Sequence, residues 1–296
     1  MQQRSLFPDG FEVQERALAA LRNLDVQTAL QLVRQARKID PRLVDLDALE
    51  AALFWLDNRL VSTPDAATLA DVLRSAAGDA AAGHLVRAAL TFIDGACARW
   101  LHQHRPATPF LDPEQCVPTG VIDLLLGNAA AARNHLLPVL DLGRGDQGSV
   151  LGYLGDAAWV TERAVEANAF YVRALLHDRG DFDLVRVRHD GLRALHDGLA
   201  KTHGEGARGR LLVEAWLAGV LQILPRNGWL LTAQLDALLA TAGGDPVRTF
   251  TLLLYADRTQ SDRGTDVERR ERMAELWPAA FPRFIAACRA AEQGRR

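Results

Sequence analysis

The sequence predicts an all-α fold built from antiparallel helix hairpins. Three observations carry this expectation. Apolar residues recur at helical spacing through most of the 296 residues. Turn-forming residues interrupt that pattern after about 12 to 20 residues, which suits helices joined by short turns. Period-two runs of Val, Ile and Thr, the mark of a half-buried strand, are almost missing. The nearest approach to one, Leu184 to Val187, leads straight into the helical spacing of Leu192, Leu195 and Leu199.

Near the N-terminus, Val26, Ala29, Leu30, Val33 and Ala36 line one face of a helix that runs to Lys38, with Gln27, Thr28, Gln31, Arg34 and Gln35 opposite. Asp25 is placed to cap its first amides, Arg34, Arg37 and Lys38 sit at its negative end, and Pro41 closes it. Breakers then follow at Ser62–Asp65, Ala77–Asp79, Gly127–Asn128, Gly143–Gly148, Arg179–Asp181, His203–Gly209, Pro225–Gly228, Gly243–Pro246 and Ser261–Thr265. The stretch from His104 to Pro118 carries Pro106, Pro109, Pro113 and Pro118. It suggests N-terminal hairpins over 1–105, a proline-rich connection over 106–118, and further hairpins with a C-terminal cap over 119–296. The alternative is a rigid loop inside one continuous array. In Leu276-Trp277-Pro278-Ala279-Ala280-Phe281-Pro282, two prolines interrupt the helix beside two large apolar residues. This run suits a terminal cap over the last apolar edge, with a docking patch as the alternative.

The chain is also self-similar. Leu126-Gly127-Asn128 with Ala132, Leu136 and Val139 can be laid on the stretch leading to Ala167, Tyr171 and Ala174. Ala29, Val33, Ala36 and Pro41 give the same pattern near the N-terminus. The offsets fit a period near 34 residues with two helices per unit. On these residues the sequence resembles the tetratricopeptide repeat (TPR) family. The best unit runs from about Gly148 to Asp181: Leu154-Gly155 matches the family's Leu-Gly pair, Ala167 and Ala174 its small residues, and Tyr171 its aromatic. Leu151, Ala158 and Arg179 depart from the usual Trp, Tyr and Pro, and the N-terminal unit has Arg16-Ala17 in place of Leu-Gly.

The resemblance implies a right-handed superhelix, a solenoid whose concave wall is lined by the first helix of each pair and holds a peptide or a partner helix. It places Ser149, Gly152, Tyr153, Asp156, Trp159 and Val160 on that wall, and Ser149, Tyr153, Asp156 and Trp159 as the partner-binding residues. Packing against the next hairpin is the competing role for each. The matching N-terminal positions, Phe11, Gln14, Glu15, Leu18 and Arg22, lack the Lys/Asn clamp with which some TPR domains hold a terminal carboxylate.

Composition narrows the function. Hydrophobic residues at 49% and charged residues at 24% describe a chain with a sizeable core. A formal charge of -3 argues against nucleic acid as partner, and the basic residues from Arg179 to Arg210 alternate with acids instead of forming a phosphate track. The cationic charge is nearly all arginine, with Lys38 and Lys201 the only lysines, as in a bacterial, GC-rich coding bias. Cys97, Cys116 and Cys288 are widely spaced and form no Cys-x-x-Cys, so they read as thiols of a reducing compartment. No apolar run near the N-terminus serves as a signal peptide, and Leu211–Leu224 is too short to cross a bilayer. A cytoplasmic protein without membrane contact is expected.

No nucleophile elbow, P-loop or His-Glu-x-x-His occurs, so no catalytic, cofactor or metal residue is assigned. His189-Asp190-Gly191-Leu192 and His196-Asp197-Gly198-Leu199 repeat after seven residues. Positions seven apart on a helix lie about 10.5 Å apart along its axis, too far for two imidazoles on one metal. A solvated helix face is the expectation, and a hydrolase site drawing on His177, His189, Asp190 and His196 the alternative. A nucleic-acid-binding regulator is the third reading. The first is a non-catalytic adaptor or assembly factor for a protein or peptide.

Overall fold

The computed structural model describes residues 9–60, 64–112, 117–140, 142, 148–177, 180–223, 232–242, 244–260 and 263–293. Among the described residues it is all-α apart from one two-stranded ladder. The chain divides into two compact units, Met1–Arg144 and Gly145–Arg296. Among the described residues, no helix is long and apolar enough to cross a membrane.

In the first unit, α1 (Gly10–Arg22), α2 (Val26–Ile39), α3 (Leu46–Asp57), α4 (Ala66–Ala81) and α5 (Arg87–Gln103) precede the ladder, and α6 (Gly120–Leu125) and α7 (Ala129–Val139) follow it. The sequence anticipates α2 closely: Asp25 Oδ1 accepts from the Thr28 amide at 3.2 Å, and Val26, Ala29, Leu30, Val33 and Ala36 are buried. α5 packs against α1, α3, α4 and α6 and is the centre of this unit. The proline-rich stretch lies within the unit. There β1 (Phe110–Asp112) pairs antiparallel with β2 (Val117–Pro118), and Pro118 stands at the ladder's edge, where its missing amide is tolerated. Cys116 and the glycine-rich turn at 143–147 lie outside the described residues.

In the second unit, α8 (Gly148–Val160) and α9 (Ala164–His177) form a hairpin, and an irregular segment leads to α10 (Asp190–His203). A 3-10 turn at Gly204–Gly206 joins α10 to α11 (Ala207–Leu217), followed by α12 (Thr232–Thr241), α13 (Pro246–Thr259), α14 (Arg263–Leu276) and α15 (Phe281–Gln293). Leu184–Val187 is a turn and not a strand. Trp277 and Phe281 stand at the α14–α15 corner. Trp277 meets Phe250 edge-on at 5.4 Å and lies under the Arg210 guanidinium, while Phe284 is fully buried between Trp216 and Phe250.

Three hairpins share one construction. The turns of α1–α2, α6–α7 and α8–α9 each hold their middle residue in the left-handed region: Leu24 (φ 57°), Gly127 (φ 84°) and Glu162 (φ 59°). Each closes with the same pair of backbone bonds, illustrated by Glu162 N to Trp159 O at 3.1 Å and Arg163 N to Ala158 O at 2.9 Å. These are Schellman turns, which satisfy carbonyls the helix end would otherwise orphan. Glycine meets the backbone demand freely at 127, whereas Leu24 and Glu162 meet it against side-chain strain.

Downstream of each turn, Ala29, Ala132 and Ala167 are fully buried, as are Val33, Leu136 and Tyr171. Gly120 faces Leu136 and Gly155 faces Tyr171, and these glycines and the buried Ala17 each stand seven residues before their turn's left-handed residue. A Cβ on Gly155 would lie 2.7 Å from the Tyr171 ring, and one on Gly120 would lie 2.6 Å from Leu136 Cγ. The small residues therefore set how closely the helices approach. Gly155→Ala should destabilise the second unit by about 1–3 kcal/mol, through displacement of a fully buried ring. Chemical denaturation that resolves this unit from the first measures it.

Candidate functional site

The four residues expected to bind a partner lie along α8, and another segment of their own chain lies against them. The segment from Asp181 to His189, between α9 and α10, runs along α8 from its N-terminal to its C-terminal end. Asp181 Oδ2 accepts from the Ser149 amide at 3.1 Å, capping the first turn of α8 where negative charge is favoured. Phe182 is 2% exposed and lies on Gly152, where a Cβ would fall 2.3 Å from its ring. The Tyr153 hydroxyl points to Asp183 Oδ2 at 3.4 Å, and the Arg186 guanidinium holds the same oxygen at 2.6 Å. Asp156 Oδ1 accepts from the Arg188 amide at 2.7 Å, and Trp159 stacks on His189 with ring centroids 4.0 Å apart. Leu184 and Val187 are buried beside them.

This strap is pinned from behind as well. Arg208 of α11 donates to the Gly180 carbonyl at 3.0 Å and also to the Phe182 carbonyl, and Arg193 of α10 reaches the Val187 carbonyl at 3.4 Å.

Asp156 is the centre of the site and is 3% exposed. Its Oδ1 also accepts from the Tyr171 hydroxyl of α9 at 2.6 Å, so one oxygen joins helix hairpin and strap. Burial pushes the Asp156 carboxyl up to about 7, with the Asp183 charge adding to the rise, against the hydrogen bonds from the Arg188 amide and the Tyr171 hydroxyl and the charge of the Arg188 guanidinium, which hold it down. Tyr171 is pushed well above the ordinary phenol range, by burial first and by the Asp156 carboxylate second. Ser149, Tyr153 and Trp159 are half-buried, and Val160 is exposed.

His189 departs from the solvated helix face expected for it. It precedes α10 as the N-cap, its Nδ1 accepting from the Leu192 amide at 3.2 Å, and it is 9% exposed. That bond requires a neutral Nδ1, and burial holds the imidazole below its ordinary value, against hydrogen bonds to its own backbone and that of Val220 and the charge of Asp190. Asp190 points away: its side chain is exposed and pairs with Arg193. His196 Nδ1 lies 3.9 Å from Asp197. The His189-Asp190 pair is thus split between core and solvent. Among the described residues, no three His, Cys, Asp or Glu side chains converge as they would around a metal ion.

A second polar cluster, in the first unit, had no signature in spacing. Asp123, 2% exposed, accepts from Arg105 Nη2 at 2.6 Å and lies 2.8 Å from His135 Nδ1. The three residues come from α6, α7 and the chain just after α5, and only folding unites them. The strap left a fainter trace in the sequence. Asp181-Phe182-Asp183 puts one apolar side chain between two acids just after a helix, which is how a short segment seats one anchor.

Compared with protein-family models, with curated proteins and with solved structures, the chain matches none of them.

Proposed function

We propose that this chain is a TPR-like helical-repeat adaptor without chemistry of its own, which holds an extended protein segment against the first helices of its hairpins. The single observation behind this reading is the strap itself. A segment without helix or strand lies along α8, touching the positions at which the resemblance puts a peptide: Ser149, Gly152, Tyr153, Asp156 and Trp159. The shared turn and register of the three hairpins support the repeat on which the reading depends.

The equivalent face of α1 is differently filled. Gln14 stands where Gly152 does in α8, and its Nε2 donates to the Val44 carbonyl at 2.9 Å. Val44 occupies the place of Phe182, five residues beyond the second helix, and is 76% exposed. Phe11 is 61% exposed. This is the face on which a partner segment would find uncovered apolar area in the first unit.

The double variant Phe11→Glu, Leu18→Glu should abolish co-purification of a cross-linkable partner, with helicity and melting temperature retained. Cross-linking mass spectrometry should place that partner on α1 in the parent protein. A partner retained by the folded variant would reject the assignment.

A further inference from the structure

We propose that Asp181–His189 is a proton-gated cover of the α8 face, shut while Asp156 is neutral and loosened when Asp156 ionises. The geometry makes Asp156 the joint of the cover: a single oxygen takes the Tyr171 hydroxyl at 2.6 Å from the hairpin and the Arg188 amide at 2.7 Å from the strap. Three buried apolar side chains, Phe182, Leu184 and Val187, keep the cover shut by default. Lifting its Arg188 end removes one of the two donors and admits water to a carboxyl that is otherwise 3% exposed.

The groups around Asp156 set the sign. From α8 comes Tyr153 and from α9 Tyr171, both uncharged at neutral pH; the strap contributes Asp183, paired with Arg186, together with Arg188 and His189. Arg193 and Arg208 approach from α10 and α11 but are engaged with strap carbonyls. With desolvation and Asp183 against it, the ionised carboxylate is worse off under the strap than in water, where it titrates in the ordinary range. Opening therefore releases a proton, and its equilibrium should rise about tenfold per pH unit until the covered carboxyl is itself ionised, near 7. His189 acts in the other direction: uncovered at mildly acid pH it gains a proton that its cap bond forbids, which blunts the dependence.

What the uncovered face then takes rests on the adaptor reading; the gate does not. Hydrogen exchange by mass spectrometry on the full chain, between about pH 5 and pH 8 and with no partner added, tests it. Strap amides are corrected for intrinsic exchange and compared with those of α1 and α2. Opening of 181–189 should increase at least tenfold over that range. His189→Asn, which keeps a helix cap, should steepen the rise to about 50-fold between pH 5 and pH 7. Asp156→Asn should lose the rise and keep only the opposite His189 trend, a fall in opening as pH increases, and the double variant Asp156→Asn, His189→Asn should be flat.

Should Asp156→Asn not fold, Tyr171→Phe serves instead. It removes a donor that holds the carboxyl down and should move the midpoint to higher pH. Strap amides that follow the reference amides across the range, or a rise that survives Asp156→Asn, would overturn the gate. A gate intact in a protein whose partner binding ignores α1 and α8 would reject only the adaptor.

Discussion

Asp156→Asn should make the second unit markedly less sensitive to pH, with a difference from the parent protein of about 4 kcal/mol between pH 4 and pH 8. A carboxyl lifted to about 7 in the folded chain holds a proton that the unfolded chain has lost above its ordinary range near 4. The stability it lends is complete below that range, declines as pH rises, and is gone above about 7. Asn keeps an oxygen for Tyr171 and Arg188 and has nothing to ionise, so its curve lacks this decline. Asp65 and Asp79 in the first unit work in the opposite sense. Hydrogen bonds from Thr68 hold Asp65 below the usual range; those from Trp55 and Arg59, with the Arg59 charge, do the same for Asp79. Whole-protein melting curves mix the two trends, and subtracting the variant's curve from the parent's isolates Asp156. Parallel curves for parent and variant would show that Asp156 ionises as freely in the folded chain as in water.

Phe284→Ala should cost the second unit about 3–5 kcal/mol, against no more than about 0.5 kcal/mol for Phe11→Ala in the first. Both changes delete the same atoms. Phe284 is fully buried beside Trp216, Phe250 and Phe281, with centroid separations of 5.6, 6.4 and 6.0 Å. Its loss leaves a cavity that three rigid rings fill poorly, and aromatic edge contacts are lost with it. Phe11 is 61% exposed and leaves no cavity. Urea denaturation of the two variants compares them directly; equal costs would mean that the C-terminal aromatic cluster is not the core of its unit.

Much of the local structure was legible in the sequence because its causes are local. The apolar spacing of Val26 to Ala36 and the Asp25 cap specify α2 almost to its ends. The match of Ala29, Ala132 and Ala167 predicts equivalent positions, and all three are fully buried at the same distance from the same turn. Gly155 was legible as half of a Leu-Gly pair, and the structure adds that its missing side chain makes room for the Tyr171 ring.

Helical spacing shows which residues of α8 share a face and not what lies against it. Ser149, Tyr153, Asp156 and Trp159 do share one face of α8, as their spacing requires. That the chain itself would occupy that face depends on where residues 181–189 travel, and a segment without helical or alternating periodicity carries no signal of its path. His189 and Asp190 are neighbours in sequence, but the first turn of α10 sends one into the core as a cap and the other to solvent.

Sequence alone determined the helices, the turns between them and the small residues at their crossings, since backbone propensity, capping and side-chain volume act over a few residues. Only the tertiary structure decided which of those helix faces meet water and which polar groups share a buried oxygen. Burial and charge are properties of neighbours brought together from distant positions, and the ionisation of Asp156 is set by them and not by its place in the chain.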